Sequence, residues 1–130
     1  MVLDENTFVD KAEKSILNLI NNSEKDKRGN SKIVTNSKIR NLLAMTADIY
    51  NEVLISNEKL SSDVNARIDY LRVRFIYECG RDQMVKDFVE EADILTALKE
   101  INGSRKNFIL FQHYMEALVA FHKYNHKGRD

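Results

Sequence analysis

The chain has 130 residues, of which 43% are hydrophobic and 31% charged, and its 20 basic and 20 acidic side chains give a net charge of zero. This composition fits a globular domain, and the neutral total counts against a protein that binds nucleic acid on its own. The chain lacks proline and has only four glycines, so little in it has to break a helix. We therefore expect an all-α, single-domain bundle of about five helices spanning residues 1–130.

The charged residues are unevenly distributed along the chain. Residues 25–40 contain six basic side chains and one acidic one, whereas residues 82–103 contain six acidic and two basic ones. Alternating blocks of opposite charge suit a subunit whose partners include its own copies and something anionic.

Apolar residues at helical spacing predict a first helix from Thr7 to Ile20 and a second from Ser37 to about Ser56. The polar residues 21–36 between them predict an exposed, mobile and basic loop, because the helical periodicity stops there. Its basic side chains are Lys25, Lys27, Arg28 and Lys32.

The segment from Ser62 to Arg81 predicts a third helix, begun by Ser62 or Asp63 as a cap and ended by Gly80 in the left-handed conformation. Its predicted buried side consists of Val64, Ile68, Leu71, Phe75 and Ile76. Three arginines follow one another at intervals of seven residues, which is nearly two turns, so they form a stripe: Arg67, Arg74 and Arg81. A helix with a buried face beside a basic stripe is more typical of a module that binds an anion than of an enzyme.

The sequence predicts a fourth helix from Asp82 to about Glu100, ended by Asn102 and Gly103, and a last helix that follows Ser104. The last helix is apolar around most of its circumference. We expect the other helices to surround it and another chain to cover part of it.

No catalytic or metal site and no cofactor is predicted. The three histidines have no carboxylate or cysteine at ligand spacing, and no glycine-rich phosphate loop is present. Cys79 is the only cysteine, so an intrachain disulfide is impossible. With no apolar run of membrane-spanning length and no signal pattern, we expect a cytoplasmic protein.

Four segments in order resemble the small subunit of type III-A CRISPR-Cas effector (Csm) complexes. They are SKIRNLL, YLRVRFIYECGRD, VKDFVEEADI and YMEALVAFHKY, which begin at Ser37, Tyr70, Val85 and Tyr114. Such subunits commonly end with an aromatic residue and a glycine pair, whereas here Tyr124 is followed by Asn125, His126, Lys127 and Gly128.

This resemblance implies a helical bundle that is not an enzyme and is present in several copies per complex. The copies would stack into an inner filament beside the backbone-repeat and large subunits, lining the channel in which guide RNA pairs with target RNA. A subunit held in place by protein neighbours needs little net positive charge, because its high effective concentration compensates for weak RNA affinity. No membrane partner is implied.

The RNA-binding candidates combine the basic residues of the matching segments with the helical stripe. Lys38, Arg81 and Lys86 rank first, Arg40 and Arg67 second, and Arg72 and Arg74 last. Arg72 lies off the stripe and could instead serve a subunit contact or an ion pair. Guanidinium and ammonium groups along one ridge are what a phosphate backbone requires, whereas exposed aromatic platforms for bases are not evident.

Three other functions compete with RNA contact. In the first, the protein is a purely structural adaptor or scaffold whose arginines decorate a solvated face through ion pairs such as Asp63 with Arg67. In the second it is a small helical nuclease, for which the sequence offers no ligand cluster. In the third it is a dimeric DNA-binding regulator, which would require a recognition helix that is not found.

Overall fold

The computed structural model describes residues 1–126, and within them the chain folds into six α-helices and no β-strand. The helices are α1 (Phe8–Asn21), α2 (Asn36–Leu54), α3 (Ser62–Arg81), α4 (Gln83–Glu91), α5 (Ile94–Glu100) and α6 (Arg105–Asn125). The all-α fold is therefore confirmed, with one helix more than expected. Lys127 and Gly128, part of the tail that departs from the family ending, lie outside the described residues.

Helix α6 is the central element of the bundle. It packs mainly against α1 and α2 and also touches α5. Its fully buried side chains include Phe108, Phe111, Tyr114, Met115 and Leu118. Within the described residues its apolar side chains are buried or half-buried apart from Ala120 and Tyr124, so α6 is surrounded by its own chain's helices and leaves no broad apolar face for another chain.

Helix α3 lies outside this centre and packs against α2, α4 and α5. It covers the predicted residues 62–81, but Ser61 rather than Ser62 or Asp63 caps it, with the Ser61 side-chain oxygen accepting the Val64 N–H at 3.2 Å. Gly80 is an ordinary helical residue and not a left-handed terminator. The helix ends one residue later because Asp82 takes an extended conformation and becomes the cap of α4.

The predicted fourth helix is two helices, α4 and α5, separated at Ala92 and Asp93. Asp93 has a left-handed backbone with φ 55°. Two side chains from other helices hold this break: the Tyr114 hydroxyl donates to the Ala92 carbonyl at 2.8 Å, and the Lys11 ammonium pairs with the Asp93 carboxylate at 2.8 Å. A continuous helix would direct the Ala92 carbonyl to a backbone N–H and would keep Asp93 in the right-handed conformation. Tertiary packing therefore overrides the local helical pattern here.

The turn between α5 and α6 follows the prediction. Asn102 and Gly103 both have positive φ, which reverses the chain, and Ser104 caps α6 by accepting the Asn107 N–H at 3.1 Å. The Gly103 carbonyl also accepts the Leu60 N–H at 2.9 Å. This bond ties the α5–α6 turn to the segment that leads into α3.

The loop between α1 and α2 is exposed over most of its length but is anchored at its end. A short turn closes it, with the Asp26 N–H donating to the Asn30 carbonyl and the Lys32 N–H to the Glu24 carbonyl. Ile33, Val34 and Asn36 are buried, so the expected exposed segment 21–36 ends at about Lys32.

Candidate nucleic-acid interface

Helices α2 and α3 meet along a surface groove that carries most of the predicted basic residues. At one end, Lys38, Glu78, Arg81 and Asp82 line a pocket of about 300 Å³. Farther along, Arg67, Arg74, Tyr70 and Asp48 line a second pocket of about 310 Å³. Met45 lines both pockets, so they are consecutive parts of one groove, which we name the α2–α3 seam.

The helical phase explains why these residues share the seam. Lys38 and Met45 are seven residues apart on α2, and Arg67, Arg74 and Arg81 are spaced the same way on α3. The apolar strips of both helices are buried just inside the groove, so these side chains lie on the flank beside the helix contact. The predicted stripe is therefore real, and it borders α2.

Acidic partners accompany the basic residues of the seam. Lys38 pairs with Asp82, Arg67 with Glu52, and Arg81 with Glu78, the last at 3.2 Å. Among the ion pairs within residues 1–126, none involves Arg74. The seam is thus a set of pre-positioned cations, partly neutralised by carboxylates.

Asp82 organises the Lys38 end of the seam. One of its oxygens caps α4 by accepting the Met84 N–H at 3.0 Å, and the other accepts from the Lys38 ammonium. The hydrogen bond from Lys38 is the main reason that the pKa of Asp82 lies below its ordinary value. Lys38 is half exposed while Asp82 is largely covered, so the positive member of the pair faces solvent.

The position of Lys38 costs helix stability rather than adding to it. It lies in the first turn of α2, a turn without an acidic residue, where the helix dipole disfavours a positive charge. Thr35 supplies the cap there by accepting the Lys38 N–H at 3.2 Å. Lys38 therefore carries its charge at a position that its own helix disfavours, and Asp82 is the carboxylate that pairs with it.

The remaining predicted residues lie apart from the seam or next to it. Lys86 is exposed on α4, one turn beyond Asp82, and does not line the pocket at the Lys38 end of the seam. Arg40 is exposed but points about 200° around α2 from Lys38, away from the groove. Arg72 lies on the other flank of α3, in a pocket shared with Asp69, as its position off the stripe predicted.

The exposed tyrosines of α3 are the main feature that was missed. Tyr70 and Tyr77 are 65% and 66% exposed beside the arginines, although no aromatic platform was expected. Ile76, predicted to be buried, is 51% exposed with them. The signal was available in the helical phase, because Ile76 and both tyrosines fall outside the arc defined by Val64, Ile68, Leu71 and Phe75.

A polar cluster with a different character lies beneath the start of α2. The His122 ring is fully buried and bonds through Nε2 to the Val34 carbonyl at 2.6 Å and through Nδ1 to the Asn36 side chain at 2.8 Å. His126 lies four residues on, with its ring centroid 4.8 Å from that of His122. This pair was detectable from the sequence, since a spacing of four places both rings on one helix face.

The other chemically reactive groups are occupied or shielded. Burial raises the pKa of the Cys79 thiol, which keeps it protonated at neutral pH and makes it a poor nucleophile. Within residues 1–126, no group of three or more His, Cys, Asp and Glu side chains could hold a metal ion. In the same part of the chain, no helix is long and apolar enough to cross a membrane.

The fold and the seam define a small all-α protein with a row of exposed cations along one surface groove. Sequence comparison is more specific, since the model of the Csm2 Type III-A family matches residues 13–128. The chain is 42% identical over 129 residues to the "CRISPR system Cms protein Csm2" of Streptococcus thermophilus, covering 99% of this chain and 98% of that relative. The protein belongs to the Csm2 family and is a small structural subunit of a type III-A CRISPR complex.

Two further relatives carry the same name. The protein from Mycobacterium tuberculosis (strain H37Rv) is 41% identical over 99 residues, covering 75% of this chain and 80% of the relative. That from Enterococcus italicus is 38% identical over 116 residues, covering 83% of each chain. Membership in this family implies that other Csm subunits are partners of the chain.

Proposed function

We propose that several copies of this chain stack into an inner filament that lines the guide RNA–target RNA channel and supports the RNA backbone through the α2–α3 seam. Guide–target pairing reads the sequence in this arrangement, and the chain contributes no catalytic step. The subunit acts in antiviral defence by holding RNA in place. The observation that carries the proposal is the row of cations along one groove in a member of the Csm2 family.

The spacing and exposure of the seam support backbone contact. Three arginines at seven-residue intervals extend over 14 residues, or about 21 Å of helix, which is long enough to meet several phosphates of one strand. The exposed faces of Lys38 and Arg81 leave room for a phosphate beside the existing carboxylate. Lys86 lies one turn beyond Asp82, and Arg40 and Arg72 become secondary candidates because they lie off the groove.

A separate acidic surface supports the stacking of copies. A cleft of about 810 Å³ between the α1–α2 loop and α4 is lined by four carboxylates, Glu24, Asp87, Glu90 and Glu91, together with Lys32. An acidic cleft repels RNA and attracts a basic surface, so in a filament it suits the basic segment of a neighbouring copy. The backbone-repeat and large subunits would hold the filament in place.

The test is target RNA binding by the reconstituted complex that carries Lys38→Gln, Arg81→Gln and Lys86→Gln in this subunit. Neutral glutamines avoid placing new negative charge beside Asp82 and Glu78. We expect normal assembly and target RNA affinity at least about tenfold weaker, because phosphate contacts are lost.

The control complex carries Lys14→Gln, Lys59→Gln and Lys123→Gln, which remove the same charge from exposed positions outside the seam. Equal affinity of the two complexes would overturn RNA contact. That result would favour the alternative of a scaffold without RNA contact, which the three ion pairs of the seam also suit.

A further inference from the structure

The flank of α3 that borders the α2–α3 seam presents arginines and tyrosines in alternation. Arg67, Tyr70, Arg74, Tyr77 and Arg81 follow one another at intervals of three, four, three and four residues. Such spacing keeps all five side chains on neighbouring rows of one helix. All five residues are exposed, and we name this row the α3 ridge.

The two phenol rings are placed as repeated platforms. They are seven residues apart, so they stand almost above one another at a separation of about 10.5 Å along the helix axis. The guanidinium carbon of Arg81 lies 5.8 Å from the centre of the Tyr77 ring. A cation therefore lies beside the Tyr77 ring, and Arg74 follows Tyr70 at the same spacing of four residues.

The chemistry of the ridge differs from that of an ordinary solvated helix face. Val73, 54% exposed, lies three residues after Tyr70 and four before Tyr77, so apolar surface connects the two rings along the helix. A solvated face would carry polar side chains at these positions. The partner must therefore offer flat or apolar surface together with negative charge.

A second copy of α3 does not satisfy this requirement. A two-fold antiparallel contact centred on the ridge places Arg74 against its own counterpart and Arg67 against Arg81 of the other copy. Like charges across such a contact are unfavourable. The arginines instead complement a polyanion, and single-stranded nucleic acid provides phosphates and unpaired base faces at once.

We infer that the α3 ridge binds single-stranded RNA, with unpaired bases stacked on Tyr70 and Tyr77 and the flanking phosphates held by Arg67, Arg74 and Arg81. This inference rests on the proposed function and adds the form of RNA that the subunit recognises. Stacking tolerates any base sequence, because every base has a π-face. The ridge thus captures RNA without competing with the sequence readout by the guide.

The test uses the reconstituted complex with Tyr70→Ala and Tyr77→Ala in this subunit. The probes are an unstructured RNA without complementarity to the guide and an abasic RNA with the same number of phosphates. We expect affinity for the base-bearing RNA to fall about fivefold or more for each tyrosine, and affinity for the abasic RNA to stay within about twofold. A Tyr70→Phe, Tyr77→Phe complex keeps both rings and is expected to retain binding of both probes.

Tyr124→Ala is the matched control, because Tyr124 is an exposed tyrosine on α6 and not on the ridge. Equal losses for base-bearing and abasic RNA, or no loss for either, would overturn the inference. Altered subunit stoichiometry of the alanine complex in native mass spectrometry would also overturn it, because the ridge would then be a protein contact.

The two proposals fail in distinguishable ways. If the glutamine variants of Lys38, Arg81 and Lys86 bind target RNA normally, contact between the seam and the RNA backbone is wrong. If those variants weaken binding while the tyrosine variants show no preference for base-bearing RNA, only the stacking inference is wrong.

Discussion

Two polar clusters involve residues only two positions apart on α2, Asn36 and Lys38. One cluster is buried in the protein and the other is exposed on its surface. The inner cluster joins Asn36 and the Val34 carbonyl to the fully buried His122. The outer cluster joins Lys38 to Asp82, with Arg81 and Glu78 nearby in the solvent. Buried polar groups are costly when they lose a partner, whereas exposed ion pairs add little stability. The inner cluster therefore serves the fold, and the outer one is free to serve binding.

Replacement of His122 is expected to have the largest effect on stability. His122→Ala leaves the Val34 carbonyl and the Asn36 side chain without their buried partner and opens a cavity, which should lower the free energy of unfolding by about 3 kcal/mol. Urea denaturation of the full chain at fixed protein concentration measures it. His113→Ala is the control, because His113 is exposed, and it should cost about 0.5 kcal/mol or less. Equal losses of unfolding free energy in the two variants would contradict the claim that the buried cluster stabilises the fold more than exposed polar groups do.

Tyr114 tests a second buried polar group. Tyr114→Phe removes the hydrogen bond to the Ala92 carbonyl and should lower the unfolding free energy by about 1–2 kcal/mol. Burial raises the pKa of Tyr114 to about 12, so its neutral phenol contributes stability that is present below pH 10 and lost as the pH rises toward that value. Wild-type stability should therefore fall more steeply above pH 10 than that of the variant. Tyr124→Phe, at an exposed position, should leave the unfolding free energy at neutral pH nearly unchanged. Parallel pH curves for wild type and Tyr114→Phe would contradict the account.

Two substitutions of Asp82 distinguish the contribution of its helix cap to stability from that of its ion pair with Lys38. Asp82→Ala removes both and should cost about 1 kcal/mol, whereas Asp82→Asn keeps a capping oxygen and should cost about half of that or less. The pKa of Asp82 is lowered, so its charge contributes stability that is present above pH 3.8 and lost as the pH falls through the folded-state pKa. The small difference between wild type and Asp82→Asn should therefore shrink on acidification from about pH 5 toward pH 3. A growing difference in chemical denaturation would contradict this sign.

The smallest effect is expected at Lys38. Lys38→Met removes an exposed ion pair and also a positive charge from the first turn of α2, so the two changes offset each other to within about 0.5 kcal/mol. Thermal and urea unfolding measure this variant beside Lys14→Met, an exposed lysine of α1. A loss above about 1.5 kcal/mol for Lys38→Met alone would make the outer cluster a structural element.

The sequence predicts those elements whose signals are local. Ser104 caps α6 and Asn102 with Gly103 forms the turn before it, as their residue types predict. The cap of α2 is Thr35, two residues before the predicted start at Ser37. The range of α3 is correct because its apolar spacing is regular over five turns. The stripe of Arg67, Arg74 and Arg81 follows from the same regularity.

Features that depend on distant contacts are beyond the reach of local patterns. The break at Asp93 is held by Lys11 and Tyr114, from α1 and α6, and no proline or glycine marks it. Gly80 stays helical because Asp82 ends α3 in order to cap α4. Arg74 lies in the groove and Arg40 lies outside it. This difference depends on which flanks of α2 and α3 pack together, and a local sequence pattern does not contain that information.

The salt dependence of target RNA binding tests the central claim most directly. Two reconstituted complexes are compared, one with Lys38, Arg67, Arg74 and Arg81 changed to Gln and one with Lys14, Lys59, Lys99 and Lys123 changed to Gln. If the seam contacts phosphates, the slope of log affinity against log salt becomes shallower by about 0.7–0.9 for each lost contact in the first complex only. Equal slopes in the two complexes would show that the seam does not touch RNA.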